Sequence, residues 1–282
     1  MKAGRESQTA VMVCMARAMA DGRPDAAGFT DPTALALLPA EARLRVERFR
    51  SGAVPKDLRG RFEHVFMDRR SKMMVARTIA IDEAVRAAAS PQVVILGAGL
   101  DGRAWRMAEL REVTVFEVDH PDSQREKRAR VSALTQVARD VRFVPVDFTR
   151  DSLDDALAAA GHDPARATTW IWEGVVMYLT RADIEATLAV VARRSAPGSR
   201  LIVLYLSPAL ISRFVGFLVR RVGEPFRSAF TPEQMGALLA KHRFAVTRDE
   251  SLPVIGARLS AEIGQATRVM KHMHIATADR PT

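Results

Sequence analysis

The chain has 282 residues, 48% of them hydrophobic, with a formal charge of +9 from 42 basic and 33 acidic residues. That is enough for one large domain, or a core with a smaller cap, that buries a sizeable interior. Arginine outnumbers lysine thirty-six to six and is interleaved with Asp and Glu, with no dense basic stripe carrying aromatics. This argues against a nucleic-acid partner and leaves long-range attraction of an acidic small molecule open.

Cys14 is the only cysteine and the six histidines are scattered, which excludes an internal disulfide and argues against structural zinc. Val11–Ala20 is apolar, but Arg17 interrupts it and Asp21 follows, so it reads as an amphipathic helix and not a signal peptide. The expectation is a soluble, cytoplasmic protein.

Residues 1–90 read as a helical cap. Helices are expected at Ser7–Met19, from Asp31-Pro32 onward, at Glu41–Phe49 and, after a break at Gly52–Pro55, over Arg61–Ala89. From residue 91 the pattern alternates. Strands are expected at Gln92–Leu96, Val113–Glu117, Val141–Val146, Thr168–Trp172, Arg200–Leu206, Phe244–Asp249 and Lys271–Ala276. Helices at about Asp101–Leu110, Pro121–Ala138, Asp151–Ala160 and Arg181–Ser195 separate the first five. Helical crossovers between buried strands imply an α/β fold with a doubly wound, mostly parallel seven-stranded, Rossmann-like sheet spanning residues 91–282. Leu201–Val219 carries Arg213 and Pro208, so it divides into a strand ending near Leu206 and an apolar helix beyond it. The insertion at about 207–230 reads as a substrate lid, and Thr231-Pro232-Glu233 starts the next helix.

In such a sheet the ligand lies beyond the carboxyl ends of the strands. The first strand ends in Gly97-Ala98-Gly99, the second in Glu117-Val118-Asp119-His120, the third in Asp147-Phe148 and the fourth in Glu173-Gly174. Glycines after a buried strand let the chain turn tightly and a ligand approach the backbone. A carboxylate about twenty residues further on, Asp119 or alternatively Glu117, suits the two hydroxyls of a ribose. Asp147 with Phe148 suits an adenine, the acid for its exocyclic amine and the ring for its face. Gly97-x-Gly99-x-x-Gly102 also satisfies the dinucleotide fingerprint, so a nicotinamide-dependent oxidoreductase stands as the alternative.

Three stretches resemble motifs of the leucine carboxyl methyltransferase-like family, which includes tetracenomycin-type polyketide O-methyltransferases and many actinobacterial relatives. They are Val94-Ile95-Leu96-Gly97-Ala98-Gly99-Leu100-Asp101-Gly102-Arg103, Phe116-Glu117-Val118-Asp119-His120-Pro121 and Trp170-Ile171-Trp172-Glu173-Gly174-Val175-Val176-Met177-Tyr178. Ser7-Gln8-Thr9-Ala10, Asp31-Pro32, Ala76-Arg77-Thr78 and Ile81-Asp82 fit as well.

The resemblance implies a class I methyltransferase that uses S-adenosylmethionine and acts on oxygen. It assigns Arg77 to the carboxylate of the cofactor's methionine part, Gly97, Ala98, Gly99 and Asp101 to the loop around it, and Glu173 to its amino group. It gives the ribose to Asp119 and the adenine to Asp147 and Phe148. Gln8 stands where the eukaryotic, phosphatase-methylating branch has a lysine, which argues away from a protein substrate.

An ionised carboxylate acceptor needs no general base, whereas a phenol or alcohol does, with His120, Tyr178 and His64 as candidates. Arg213, Phe214 and Arg220 are candidates for reading a small hydrophobic acid.

Overall fold

A computed structural model describes residues 8–148, 150–208 and 226–281. The apolar run at 93–96 forms β1 (Gln92–Leu96), buried throughout as a strand covered on both faces must be. Six more strands join it: β2 (Thr114–Asp119), β3 (Asp140–Pro145), β4 (Thr168–Trp172), β5 (Arg200–Leu206), β6 (Ala245–Ser251) and β7 (Met273–Asp279). They make one sheet ordered β3-β2-β1-β4-β5-β7-β6. The first five strands pair in parallel and β7 is antiparallel to both neighbours, the mostly parallel doubly wound sheet expected.

One boundary bears on function. β2 runs on through Asp119 and does not stop at Glu117, because both neighbours hold it as far as Val118 and β3 holds it beyond: Glu117 pairs with Ile95 of β1 and Phe143 of β3, and Asp119 with Pro145 of β3.

Four helices precede the sheet: α1 (Gln8–Ala20), α2 (Ala34–Leu37), α3 (Ala40–Arg50) and α4 (Leu58–Ala88). α4 starts where the Asp57 carboxylate accepts from the Gly60 N–H and ends at Ala89 in the left-handed conformation. At 31 residues it is about 46 Å long.

The crossovers carry α5 (Arg103–Arg106), α6 (Pro121–Val131), α7 (Leu153–Ala159) and α8 (Arg181–Arg193), and α9 (Pro232–Lys241) follows a Thr231–Gln234 capping box. α6 is shorter than the expected Pro121–Ala138. Two helices not anticipated, α10 (Leu252–Leu259) and α11 (Ala261–Thr267), lie between β6 and β7. They pack on α4, where Arg69 Nε donates to the Ala266 carbonyl at 3.3 Å and Arg258 meets Glu83 at 3.1 Å.

Strand alternation divides the interior in two. Val93, Ile95, Val115, Ile171 and Ile202 face a cluster shared with α1–α4 and α10. Val94, Leu96, Phe116, Trp170 and Tyr205 face α7, α8 and α9. Buried side chains such as Leu37, Val75 and Ile81, at about 1.5–3 kcal/mol each, fasten the N-terminal helices to the first of these cores. No described helix is long and apolar enough to cross a membrane.

Candidate active site

Strand order reverses between β1 and β4, which opens a crevice beyond their carboxyl ends. The turn after β1 forms its floor. Gly97 has φ +72°, and a Cβ there would come within 2.4 Å of Val175 Cγ2, so only glycine fits. The amides of Gly97 and Ala98 both donate to the Val118 carbonyl, at 2.8 and 3.0 Å, and that of Gly99 donates to Asp119 Oδ2 at 2.5 Å. These donors are therefore spent on β2, and the turn offers a Cβ-free surface.

Asp119 also accepts from the His120 N–H at 2.6 Å. Burial pushes its carboxyl above the usual range in spite of these two bonds. The cap of α6 is not Asp119 but His120, whose Nδ1 accepts from the Asp122 N–H at 3.2 Å. Beyond β3, Asp147 is half-buried and the Phe148 ring is 47% exposed.

Glu117 is a correction. Two residues before Asp119, it shares that face of β2, but one layer deeper. It is 0% exposed and faces Lys127 Nζ at 2.6 Å, with Lys127 in turn over the Trp105 ring. Burial outweighs the lysine and pushes the Glu117 carboxyl up to about 7. It is an interior group with no access to a sugar.

Asp101, in the turn after β1, is paired within the protein. Its carboxylate is bonded by both the backbone N–H and the guanidinium of Arg103, and it is buried. Arg103, Lys127 and Arg17 overcome the burial and hold it well below the usual carboxylate range.

Around Asp101 the structure assembles a network that the sequence reading missed. Arg77 Nε meets Glu173 Oε1 at 2.5 Å, Arg103 Nη1 meets Glu173 Oε2 at 3.0 Å, and Arg103 Nε meets Asp82 Oδ1 at 2.7 Å. Arg106 joins Asp82 at 2.7 Å and Asp31 at 3.5 Å, and Arg17 joins Asp31 at 3.3 Å. Four arginines thus balance four carboxylates, the eight groups drawn from α1, the loop before α2, α4, the β1 turn, α5 and the end of β4. Burial would raise the Glu173 carboxyl, but Arg77 and Arg103 hold it below the usual range. The sequence signal for the network was Asp31, Asp82 and Asp101 falling in apolar surroundings; each arginine alone was one of thirty-six.

Tyr178 lies past β4 with its ring 5.6 Å from Phe226, where the chain returns to the sheet. His64 is stacked on Phe49, thirteen residues along α4 from Arg77. Arg213, Phe214 and Arg220 lie outside the described residues. No group of three or more His, Cys, Asp or Glu among the described residues is arranged to hold a metal.

A Rossmann-like sheet in this strand order, with a glycine turn and an acid closing β2, defines the class I methyltransferase fold. The sequence model of the leucine carboxyl methyltransferase family matches residues 10–192, and the chain belongs to that family. It is similar to a "Putative S-adenosyl-L-methionine-dependent methyltransferase" of Streptomyces coelicolor, 36% identical over 73% of this chain and 71% of that one. A Frankia alni protein of the same description is 34% identical over 94% of this chain and 85% of its own. Among solved structures, a DUF574 family protein from Streptomyces avermitilis covers 99% of each chain with a TM-score of 0.59 at 16% identity, a likeness of fold.

The protein is an S-adenosylmethionine-dependent methyltransferase, and the nicotinamide alternative finds no support. The residues present fit that cofactor. The turn is closed to any Cβ, Arg77 and Glu173 offer a cation and an anion to the two charges of an amino-acid end, and the buried Arg103 Nη2 has no hydrogen-bond partner among the described residues.

Proposed function

We propose that this protein methylates oxygen on a small hydrophobic acceptor, with a carboxylate favoured over a hydroxyl. When bound, the cofactor supplies a methyl group on a sulfonium, which leaves its bonding pair on sulfur. Arg77 would hold the cofactor's carboxylate and Glu173 its ammonium, each exchanging its present partner for a ligand group of the same sign. Asp119 would accept the ribose hydroxyls, with Asp147 and the Phe148 ring beside the adenine. The N-terminal helices would read the acceptor and exclude water; most of the 207–230 stretch expected to share that role lies outside the described residues.

The observation that carries the carboxylate reading is that the carboxylates around the crevice, and Nδ1 of His120, are already engaged. Asp101 and Glu173 are bound by arginines, Glu117 by Lys127, Asp119 by two amides, and His120 Nδ1 caps α6. An acceptor that is already ionised at neutral pH needs none of them.

The test is incubation with methyl-labelled cofactor and a panel of hydrophobic carboxylic acids and the corresponding phenols and alcohols. Base-labile label on the acids supports the reading, while base-stable label on the hydroxyl compounds alone moves the acceptor to a hydroxyl. A melting-temperature rise with NAD but not with S-adenosylhomocysteine would overturn the cofactor assignment as well.

A further inference from the structure

Arg70 breaks the charge balance of the crevice. It lies on α4 two turns before Arg77, and a seven-residue spacing puts both guanidiniums on one face of the helix. Arg17, Arg77, Arg103 and Arg106 all meet carboxylates, but Arg70 has no carboxylate partner among the described residues. Its hydrogen bond there goes to Met12 Sδ on α1, at 3.5 Å, a weak acceptor for a guanidinium.

Phe66 stands one turn before Arg70 and is 55% exposed, with Phe62 exposed a further turn back, and Met73 and Met74 stand about one turn after it. Arg70 also feels the Arg77 guanidinium and the Tyr178 phenol. Burial, and then repulsion from Arg77, lower the affinity of Arg70 for its proton. Both effects are relieved by an anion. A half-buried cation with no carboxylate partner among the described residues, set against exposed aromatic and thioether surface, is the complement of an amphipathic anion.

We propose that Arg70 is a substrate-reading residue, which binds the acidic head of the acceptor while the apolar body lies along Phe66 and Phe62 of α4. The inference rests on the methyl-transfer reading and narrows it to acceptors that carry an anionic group within reach of α4.

The experiment uses decanoate and benzoate as probes, with decanamide and benzamide as uncharged counterparts. Binding is followed by thermal shift and calorimetry on the protein with and without S-adenosylhomocysteine. The expected result is that at least one acid binds, its amide binds far more weakly, and Arg70→Gln weakens the acid about 10- to 100-fold with the affinity for S-adenosylhomocysteine unchanged. Arg70→Lys, which keeps the charge but loses the fork, restores part of the acid binding.

Equal binding of acids to wild type and Arg70→Gln, equal binding of acid and amide, or no binding of either acid would each overturn the proposal. The cofactor reading fails separately. In that case S-adenosylhomocysteine does not bind the wild type, while the dependence of acid binding on Arg70 is still read on the protein alone.

Discussion

Arg77 and Glu173 are ninety-six residues apart in sequence and meet at 2.5 Å, with their side chains only 8% and 11% exposed. The pair joins the long helix α4 to the end of β4, so it is a structural tie and, in the proposed reading, also the place where the cofactor's two amino-acid charges would enter. The two roles separate by mutation. Glu173→Ala leaves Arg77 short of a counter-charge in a buried setting and should cost about 3–5 kcal/mol, read as a lower denaturant midpoint. The double variant Arg77→Met/Glu173→Leu should recover most of that loss, because no lone charge remains. It should still bind S-adenosylhomocysteine at least tenfold more weakly, and wild-type affinity in the double variant would remove the pair from the cofactor site.

Asp119 is placed by two backbone amides, from Gly99 and His120, before any ligand arrives. Asp119→Asn should keep the fold and lose about 10- to 100-fold in affinity for S-adenosylhomocysteine, as expected for hydrogen bonds to a charged acceptor. An analogue lacking the ribose 2′-hydroxyl should show a much smaller difference between wild type and variant. Calorimetry with the two ligands checks this, and an equal loss for both would mean that Asp119 acts on the turn and not on the sugar.

The Glu117–Lys127 pair gives a pH signature. Glu117 titrates near 7 in the folded chain against an ordinary value of 4.5, so the native state takes up its proton first as pH falls. Its contribution to stability is full below about pH 4.5 and is lost as pH rises through 7. Asp82, Asp101 and Glu173 act in the opposite sense, since their carboxyls are held low: their contribution is full above the ordinary carboxylate range and disappears in stronger acid. Urea unfolding of wild type and Glu117→Gln between pH 5 and 8 isolates the first effect. The wild type's stability relative to the variant should fall across that range, by an amount on the order of a few kcal/mol. A flat difference would place the Glu117 titration outside this window.

Gly97→Ala sets a side chain into a left-handed conformation and against Val175 at once. The expected cost is about 2–4 kcal/mol, from backbone strain and overpacking together. Adding Val175→Ala should return the steric part and leave the strain. If the single and double variants unfold at the same midpoint, the close approach is not what fixes this glycine.

The strands were legible because burial writes itself as composition: Val93–Leu96 and Thr168–Trp172 can be nothing but covered strands, and β1 and β4 matched to the residue. β2 was cut short because Glu117 and Asp119 look like the start of a loop, and only neighbouring strands keep charged residues in a ladder. α10 and α11 went unread although Ser251 and Ser260 stand at their starts, since each is at most eight residues long and takes its stability from α4. At the site, the acids at the strand ends could be listed from sequence, but which of them face the crevice could not. Glu117 and Asp119 share a face and differ by one layer of depth, and depth has no sequence signal. The arginine network was hidden for a related reason: in a chain with thirty-six arginines, a buried one and a solvated one read alike.

The position of β7 has a consequence for how the protein is made. β6 pairs with nothing but β7, and β7 lies between it and β5. As the chain emerges from the ribosome, β6 therefore has no described strand to pair with until residues 273–279 have appeared. The first five strands can assemble earlier, as an intermediate in which β5 is an edge in addition to β3. Covering β5 is a late, long-range event, and until then it is an unpaired strand edge of the kind through which chains can pair with one another.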